Sequence, residues 1–185
     1  MYHYRYATKN EFKPVKSELE KIIHDVQDIV RDNFTFSYYY VGSSAKGRNL
    51  VTYDPTTNIG FDFDINIYVN DDEEDYSPEE IRNIIRNALD EVVKDYGYNY
   101  CEDSTSVLTI KFVDHINSRI EHSCDFAIVH EGKNRQQYIR FNKEHGKYTW
   151  EYRSRGFKHI EERADWLKKN KLWTEVRSLT CIKKQ

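Results

Sequence analysis

Apolar positions recur at three- and four-residue steps through Val15, Leu19, Ile22, Ile23, Val26, Ile29 and Val30. Residues 14–33 therefore read as an amphipathic helix with one buried stripe, opened by Pro14. Residues 1–13 are polar and carry no evident chemistry. The period then changes. Residues 34–41 are β-rich and aromatic, and the run ends at Gly42. Residues 44–60 hold Gly47, Asn49, Asp54, Pro55, Asn58 and Gly60, which is the composition of a long loop. Residues 61–69 alternate as a second strand. Phe61, Phe63, Ile65 and Ile67 take one face, while Asp62, Asp64 and Asn66 take the other.

An acidic run at 70–75 reads as a solvated loop. Ser77-Pro78-Glu79-Glu80 has the form of a capping box with proline at the first helical position, and the apolar period continues to a stop near Gly97. Residues 107–113 and 120–129 alternate as strands around a turn at 114–118. Residues 137–141 and 148–152 read as a hairpin. The remainder suggests two short helices broken near Lys169-Asn170. The order of elements predicts an α+β fold, with a mixed, largely antiparallel sheet packed by helices on one face. The expected division is a domain over 1–155 and a helical extension over 156–185 packed on it.

Composition narrows the classes. The chain has 185 residues, enough for one sizeable core. A net charge of -3 supplies no basic field for bulk nucleic-acid binding. The three cysteines, Cys101, Cys124 and Cys181, lack CxxC spacing and read as reduced thiols. No apolar run reaches membrane-spanning length and no signal-peptide core is present, so a cytoplasmic protein is expected. The 15 tyrosines provide wide amphipathic surfaces, which also suit a plain interaction domain.

Candidate chemistry sits on the strand at 61–69. Two acids side by side repel one another, and holding a divalent cation is a reason to keep them. Asp125 is a lone acid in the apolar strand Ser123-Cys124-Asp125-Phe126-Ala127-Ile128-Val129, where burial demands a metal or a basic partner. Arg119 and Arg140 are candidates for a structural pairing with it. The turn Gly42-Ser43-Ser44 lets backbone approach a phosphate and offers hydroxyl and N–H donors. Lys46 and Arg48 follow closely enough to offset triphosphate charge. A helical turn beginning at 44 would add a favourable partial charge. Tyr148, Trp150 and Tyr152 share a strand face, where packing outweighs base stacking. Arg153, Arg155 and Lys158 form a basic cluster that fits a solvated face as well as a phosphate role. His122 reads as structural.

The set Gly42-Ser43-x-x-x-Gly47-Arg48, then Asp62-Phe63-Asp64, then Asp125 resembles the DNA polymerase β-like nucleotidyltransferase superfamily. The oligoadenylate-synthase-like and bacterial cyclic-nucleotide-synthase-like branches look nearest, together with antibiotic nucleotidyltransferases. Leu172-Trp173-x-x-Val176-Arg177-x-Leu179 is similar to the helix that follows the catalytic sheet in bacterial relatives. The resemblance implies a nucleotidyltransferase fold and a metal-dependent transfer of an NMP from an NTP, ATP foremost, to an acceptor hydroxyl with release of pyrophosphate. By that likeness Asp62, Asp64 and Asp125 would bind Mg²⁺ or Mn²⁺ and carry catalysis. Gly42, Ser43, Ser44, Lys46 and Arg48 would bind the nucleotide. The loop before Asp62 is longer than usual, which makes 49–60 a candidate for specificity. Relatives commonly carry a helical C-terminal domain, and this sequence ends where it would begin. A non-catalytic nucleotide-binding module, regulatory or antitoxin-like, is the alternative. Oligomerisation stays compatible with the sequence.

Overall fold

The computed structural model of the chain describes residues 4–45, 50–54, 60–71, 75–131, 135–153 and 159–184. In chain order the elements are β1 (Arg5–Tyr6), α1 (Lys9–Val30), β2 (Thr35–Val41), β3 (Thr52–Tyr53), β4 (Phe61–Asn70), α2 (Pro78–Val92), β5 (Cys101–Asp103), β6 (Leu108–Asp114), β7 (Arg119–Glu131), β8 (Gln136–Asn142), β9 (Lys147–Tyr152), α3 (Ile160–Lys169) and α4 (Trp173–Lys184). The fold is α+β, as the order of periodic segments predicts.

Strands run in the order β2-β4-β7-β6-β5, with the β8–β9 hairpin attached to β7. β4 and β7 are parallel, and the other pairings are antiparallel. Alternation along each strand puts Phe36, Phe63, Ile65, Ile67, Cys124, Phe126, Ile128, Leu108 and Ile110 into one buried layer. Leu19, Ile22, Ile23, Val26 and Val30 of α1 fill it from the helical side, with Ile81, Ile85, Ala88, Leu89 and Val92 of α2. Ile29, which the helical stripe would bury, is 40% exposed at its edge.

α1 begins at Lys9, earlier than the proline that its pattern suggests. The start signal is a capping box. Glu11 reaches back to accept from the Thr8 N–H at 2.8 Å. Pro14 lies inside the helix, where it gives up one backbone donor. The segment before it also has structure. β1 pairs antiparallel with β3, so part of the long loop at 44–60 is a strand. Val51 and Asp54 are buried there, and Tyr53 packs edge-on against Phe61 with centroids 4.8 Å apart. Residues 50–54 thus have a scaffold role, and residues 55–59 lie outside the described residues.

The capping box of α2 forms as expected, with Ser77 N–H donating to Glu80 at 2.8 Å. Gly97 ends the following turn at φ +82°. The β5 strand has no sequence signal, because three residues are too few to show a period. It is fixed instead by Arg82 of α2. This arginine is fully buried and donates to Asp103 Oδ1 from Nε (2.9 Å) and Nη2 (2.5 Å). Nη2 also donates to the carbonyls of Ser104 (2.6 Å) and Val107 (2.9 Å). The Tyr148 ring lies 4.7 Å from its guanidinium carbon, and the Tyr148 hydroxyl donates to Asp103 at 3.1 Å. One residue therefore clamps α2, the β5–β6 turn and β9 together.

Cys101 and Cys124 are buried free thiols. Among the described residues no helix is long and apolar enough to cross a membrane. α4 meets the body of the fold where the Tyr6 hydroxyl donates to the Arg177 carbonyl at 2.7 Å and the Arg177 guanidinium covers the Tyr6 ring.

Removing one partner of a buried ion pair strands the other charge. Asp103→Ala is expected to lose about 3 kcal/mol of stability in urea unfolding, the low end of such losses because Asp103 keeps some exposure. An unchanged midpoint would show that the two carbonyls alone satisfy Arg82.

Candidate functional site

The sheet face away from α1 and α2 carries the acids. In the parallel β4–β7 pair, Asp64 stands directly opposite Asp125 and Asp62 opposite Ser123. Neighbouring strands lie about 4.8 Å apart, so Asp64 and Asp125 are adjacent across the ladder. Asp62 is exposed, and Asp64 and Asp125 are half-buried. The backbone of each acid is fixed by core neighbours. Phe63 and Ile65 flank Asp64, and Cys124 and Phe126 flank Asp125, all buried.

Each carboxylate has a distinct partner. Ser123 Oγ donates to Asp62 Oδ1 at 2.9 Å. Thr109 Oγ1 on β6 donates to Asp125 Oδ1 at 2.6 Å. Neither of the arginines considered for Asp125 takes the structural pairing. Arg119 instead meets Glu121 at 2.5 Å. Asp64 has Gly42 beside it. A Cβ on Gly42 would stand 2.5 Å from Asp64 Oδ2, and Gly42 has φ +59°. Two independent constraints thus call for glycine at the end of β2. Burial pushes the Asp64 carboxyl up to about 6, helped by the neighbouring Asp62 and Asp125 charges and opposed by Arg153.

The turn after β2 is a 3-10 turn over Gly42–Ser44, two residues earlier than the helical start read from the sequence. Ser44 Oγ donates to the Val41 carbonyl at 3.0 Å and leans towards the Asp64 carbonyl at 3.4 Å. Its hydroxyl proton therefore serves to close the turn. The Ser43 carbonyl accepts from the Leu50 N–H at 3.1 Å. Lys46 and Arg48 lie outside the described residues, as do Arg155 and Lys158.

Arg153, the residue after β9, brings a cation to this face. Its Nη1 donates to Gln136 Oε1 at 3.0 Å, and its Nη2 to Asn66 Oδ1 at 3.3 Å, one alternate position beyond Asp64. His122 is structural as expected. It stacks on Phe112, shares a 2.6 Å hydrogen bond with Tyr98, and is held near 4 by burial. Tyr148 and Trp150 pack against the core. Tyr152 is exposed, with the Arg135 guanidinium 4.7 Å from its ring.

A cavity of about 470 Å³ opens beside the acids, with Asp62, Ser123, Asp125, Thr109, Lys111 and Glu102 in its lining. Lys111 and Glu102 form an ion pair at 2.6 Å across its far side. Gly60 enters the same wall, where a Cβ would meet the Glu121 carbonyl oxygen at 2.0 Å.

Among solved structures, the chain superposes on the Bradyrhizobium diazoefficiens CD-NTase CdnG in complex with GTP. The TM-score is 0.56 at 14% identity, over 80% of this chain and 40% of that one. It also superposes on the Vibrio cholerae DncV cyclic AMP-GMP synthase in complex with a linear intermediate. There the TM-score is 0.55 at 15% identity, over 96% of this chain and 45% of the other. The chain has the nucleotidyltransferase fold. It spans less than half the length of these two structures. No protein-family model and no curated protein matches the sequence.

Within this nucleotidyltransferase fold the donor set suits a divalent cation. Three carboxylates share one face, and Asp64 is raised first by its burial and then by the charges of Asp62 and Asp125, which Arg153 only partly offsets. Among the described residues no three His, Cys, Asp or Glu side chains are already drawn together around one point. The residues that sequence reading passed over are Thr109 and Ser123. Their role depends on strand register, which no local pattern shows. Arg153 was visible only as part of a basic cluster.

Two outcomes follow from Gly42 and Asp64. Gly42→Ala should cost about 1–2 kcal/mol from its left-handed backbone alone, read by thermal or urea unfolding. Unchanged stability would show that the turn can rearrange. The folded-state carboxyl of Asp64 lies above its ordinary value of 3.8, so the native state holds the proton more tightly. Stability therefore falls as pH rises from about 4 to about 6 and stays lower above that. Asp64→Asn should raise the melting temperature of metal-free protein at pH 8 and leave it level at pH 4. A loss at pH 8 would contradict the repulsion.

Proposed function

We propose that the chain is a metal-dependent nucleotidyltransferase that moves an NMP from an NTP to an acceptor hydroxyl. The observation that carries this reading is the register that sets Asp64 opposite Asp125, with Asp62 beside them and the Gly42–Ser44 turn against Asp64. The fold shared with CdnG and with the cyclic AMP-GMP synthase supports it. Residues 1–155 are the catalytic domain in this reading, and 156–185 a helical extension.

The acceptor oxygen attacks the α-phosphorus of the NTP, and its proton passes to Asp125. The bond from that phosphorus to the bridging oxygen breaks, and pyrophosphate leaves with the electron pair. Asp62 and Asp64, with Asp125, would hold Mg²⁺ or Mn²⁺, which supplies charge neutralisation for the triphosphate and the leaving group. The turn Gly42-Ser43-Ser44 receives phosphate oxygens on its backbone and hydroxyl donors, with Lys46 and Arg48 as cations. Ser43 is the better hydroxyl donor of the pair, because Ser44 already donates to Val41. Arg153 is placed to meet negative charge once Asp64 is occupied by a cation. ATP, which the sequence resemblance puts foremost, and GTP, which accompanies the solved CdnG, are the donors to test first.

ATP and GTP, singly and together, with Mg²⁺ or Mn²⁺ should release pyrophosphate, and a chelator should stop it. The nucleotides serve there as donors and as sources of acceptor hydroxyls. Asp62→Ala combined with Asp64→Ala should lower release by at least about 100-fold, the order lost when charge stabilisation at a reacting centre is removed. Equal release from the double variant would overturn the assignment.

A further inference from the structure

Asp125 is oriented by a neutral hydroxyl on the next strand. Thr109 and Asp125 are direct partners in the antiparallel β6–β7 register, and the Thr109 hydroxyl reaches Oδ1 at 2.6 Å. That is the short range of an O–H donor meeting a charged acceptor. A hydroxyl has one proton, so it holds one oxygen. Oδ2 of Asp125 takes no hydrogen bond from the described residues, and Asp125 lines the 470 Å³ cavity.

Three features make this contact more than incidental. The backbone of Asp125 is locked between buried Cys124 and Phe126, so rotation of its side chain is the freedom left to fix. Asp64, directly opposite, repels it, and an unheld carboxylate would swing away from the place where the acids should meet. The cations close by in sequence are also engaged elsewhere: Lys111 with Glu102 at 2.6 Å, and Arg119 with Glu121 at 2.5 Å. Threonine suits the task because its branched Cβ restricts χ1 and so limits the directions the hydroxyl can take. A neutral donor orients the carboxylate without cancelling the charge that a cation and an acceptor proton need. Ser123 meets Asp62 in the same cross-strand manner at 2.9 Å.

We propose that Thr109 is a positioning residue for Asp125, fixing Oδ1 in the sheet so that Oδ2 serves the cation and the acceptor. This rests on the nucleotidyltransferase reading above. The test compares Thr109→Val, which keeps the shape and removes the hydroxyl, with Thr109→Ser, which keeps the hydroxyl. Circular dichroism and the melting temperature establish that both fold. Two readouts are taken: pyrophosphate release from ATP and GTP, and Mn²⁺ affinity by electron paramagnetic resonance with α,β-methylene-ATP present. Thr109→Val should lower kcat and weaken Mn²⁺ binding by about 10- to 100-fold, the usual effect of losing a partner that orients a metal ligand. KM for ATP should move little. Thr109→Ser should recover most of both losses.

Wild-type kcat and Mn²⁺ affinity in Thr109→Val would overturn the proposal while leaving the transferase reading intact. So would equal impairment of Thr109→Ser, since the loss would then follow packing and not the hydroxyl. Failure of the wild type to release pyrophosphate would count against the transferase reading itself. The Mn²⁺ comparison would then decide the hold of Thr109 on Asp125 separately, and a wild type that binds no Mn²⁺ would overturn both.

Discussion

Like charges on one face of a rigid sheet are the constraint on which this structure turns. Asp62, Asp64 and Asp125 repel one another, yet they sit on two strands that cannot move apart. β4 and β7 are parallel, and both bury their alternate residues against α1 and α2. Parallel neighbours need a crossover, and here the chain passes through α2, β5 and β6 before returning as β7. The helices on one face therefore do two things. They pack the core, and they fix the register that puts Asp64 opposite Asp125. The folding free energy of that core holds the charges together, and the Asp64 carboxyl is raised by its burial there and, after that, by its two acidic neighbours.

What the sequence could reveal follows from what has a period. The long helices, the strands of six or more residues and the three acids were readable, because alternation of two and repetition of 3.6 show where side chains go. Asp125 stood out as one acid in an apolar run. Elements of two or three residues were not readable. β1, β3 and β5 depend on long-range pairing and leave no local trace. The start of α1 was misplaced because Pro14 is a common first-turn signal, while the Thr8–Glu11 capping box lay in a stretch that looked featureless. The stretch at 49–60 looked like a specificity element, yet residues 50–54 are partly scaffold.

The partners of the acids were hidden for the same reason. Thr109 and Ser123 are ordinary strand residues in sequence. They become significant only when register sets Thr109 opposite Asp125 and Ser123 opposite Asp62. Glycine was a partial exception. Gly42 reads as a turn residue, but its second duty, leaving room for the Asp64 carboxylate, is spatial.

The buried arginine far from the acids belongs to the same chain of cause. Arg82 binds Asp103, the last residue of β5, and the carbonyls of Ser104 and Val107 in the turn that follows. Asp103 pairs with Leu108, the residue before Thr109. The hairpin that presents Thr109, and the Glu102–Lys111 pair beside it, is thus anchored at its turn by a charge buried under α2. An apolar residue could fill the same volume, but it would leave the Ser104 and Val107 carbonyls without this donor and would not fix the turn's direction. Burying a guidinium there is costly unless its partners are held in place. The same holding sets the strand from which Thr109 reaches Asp125. Precision at the open face is in this way supported by a polar contact on the closed one.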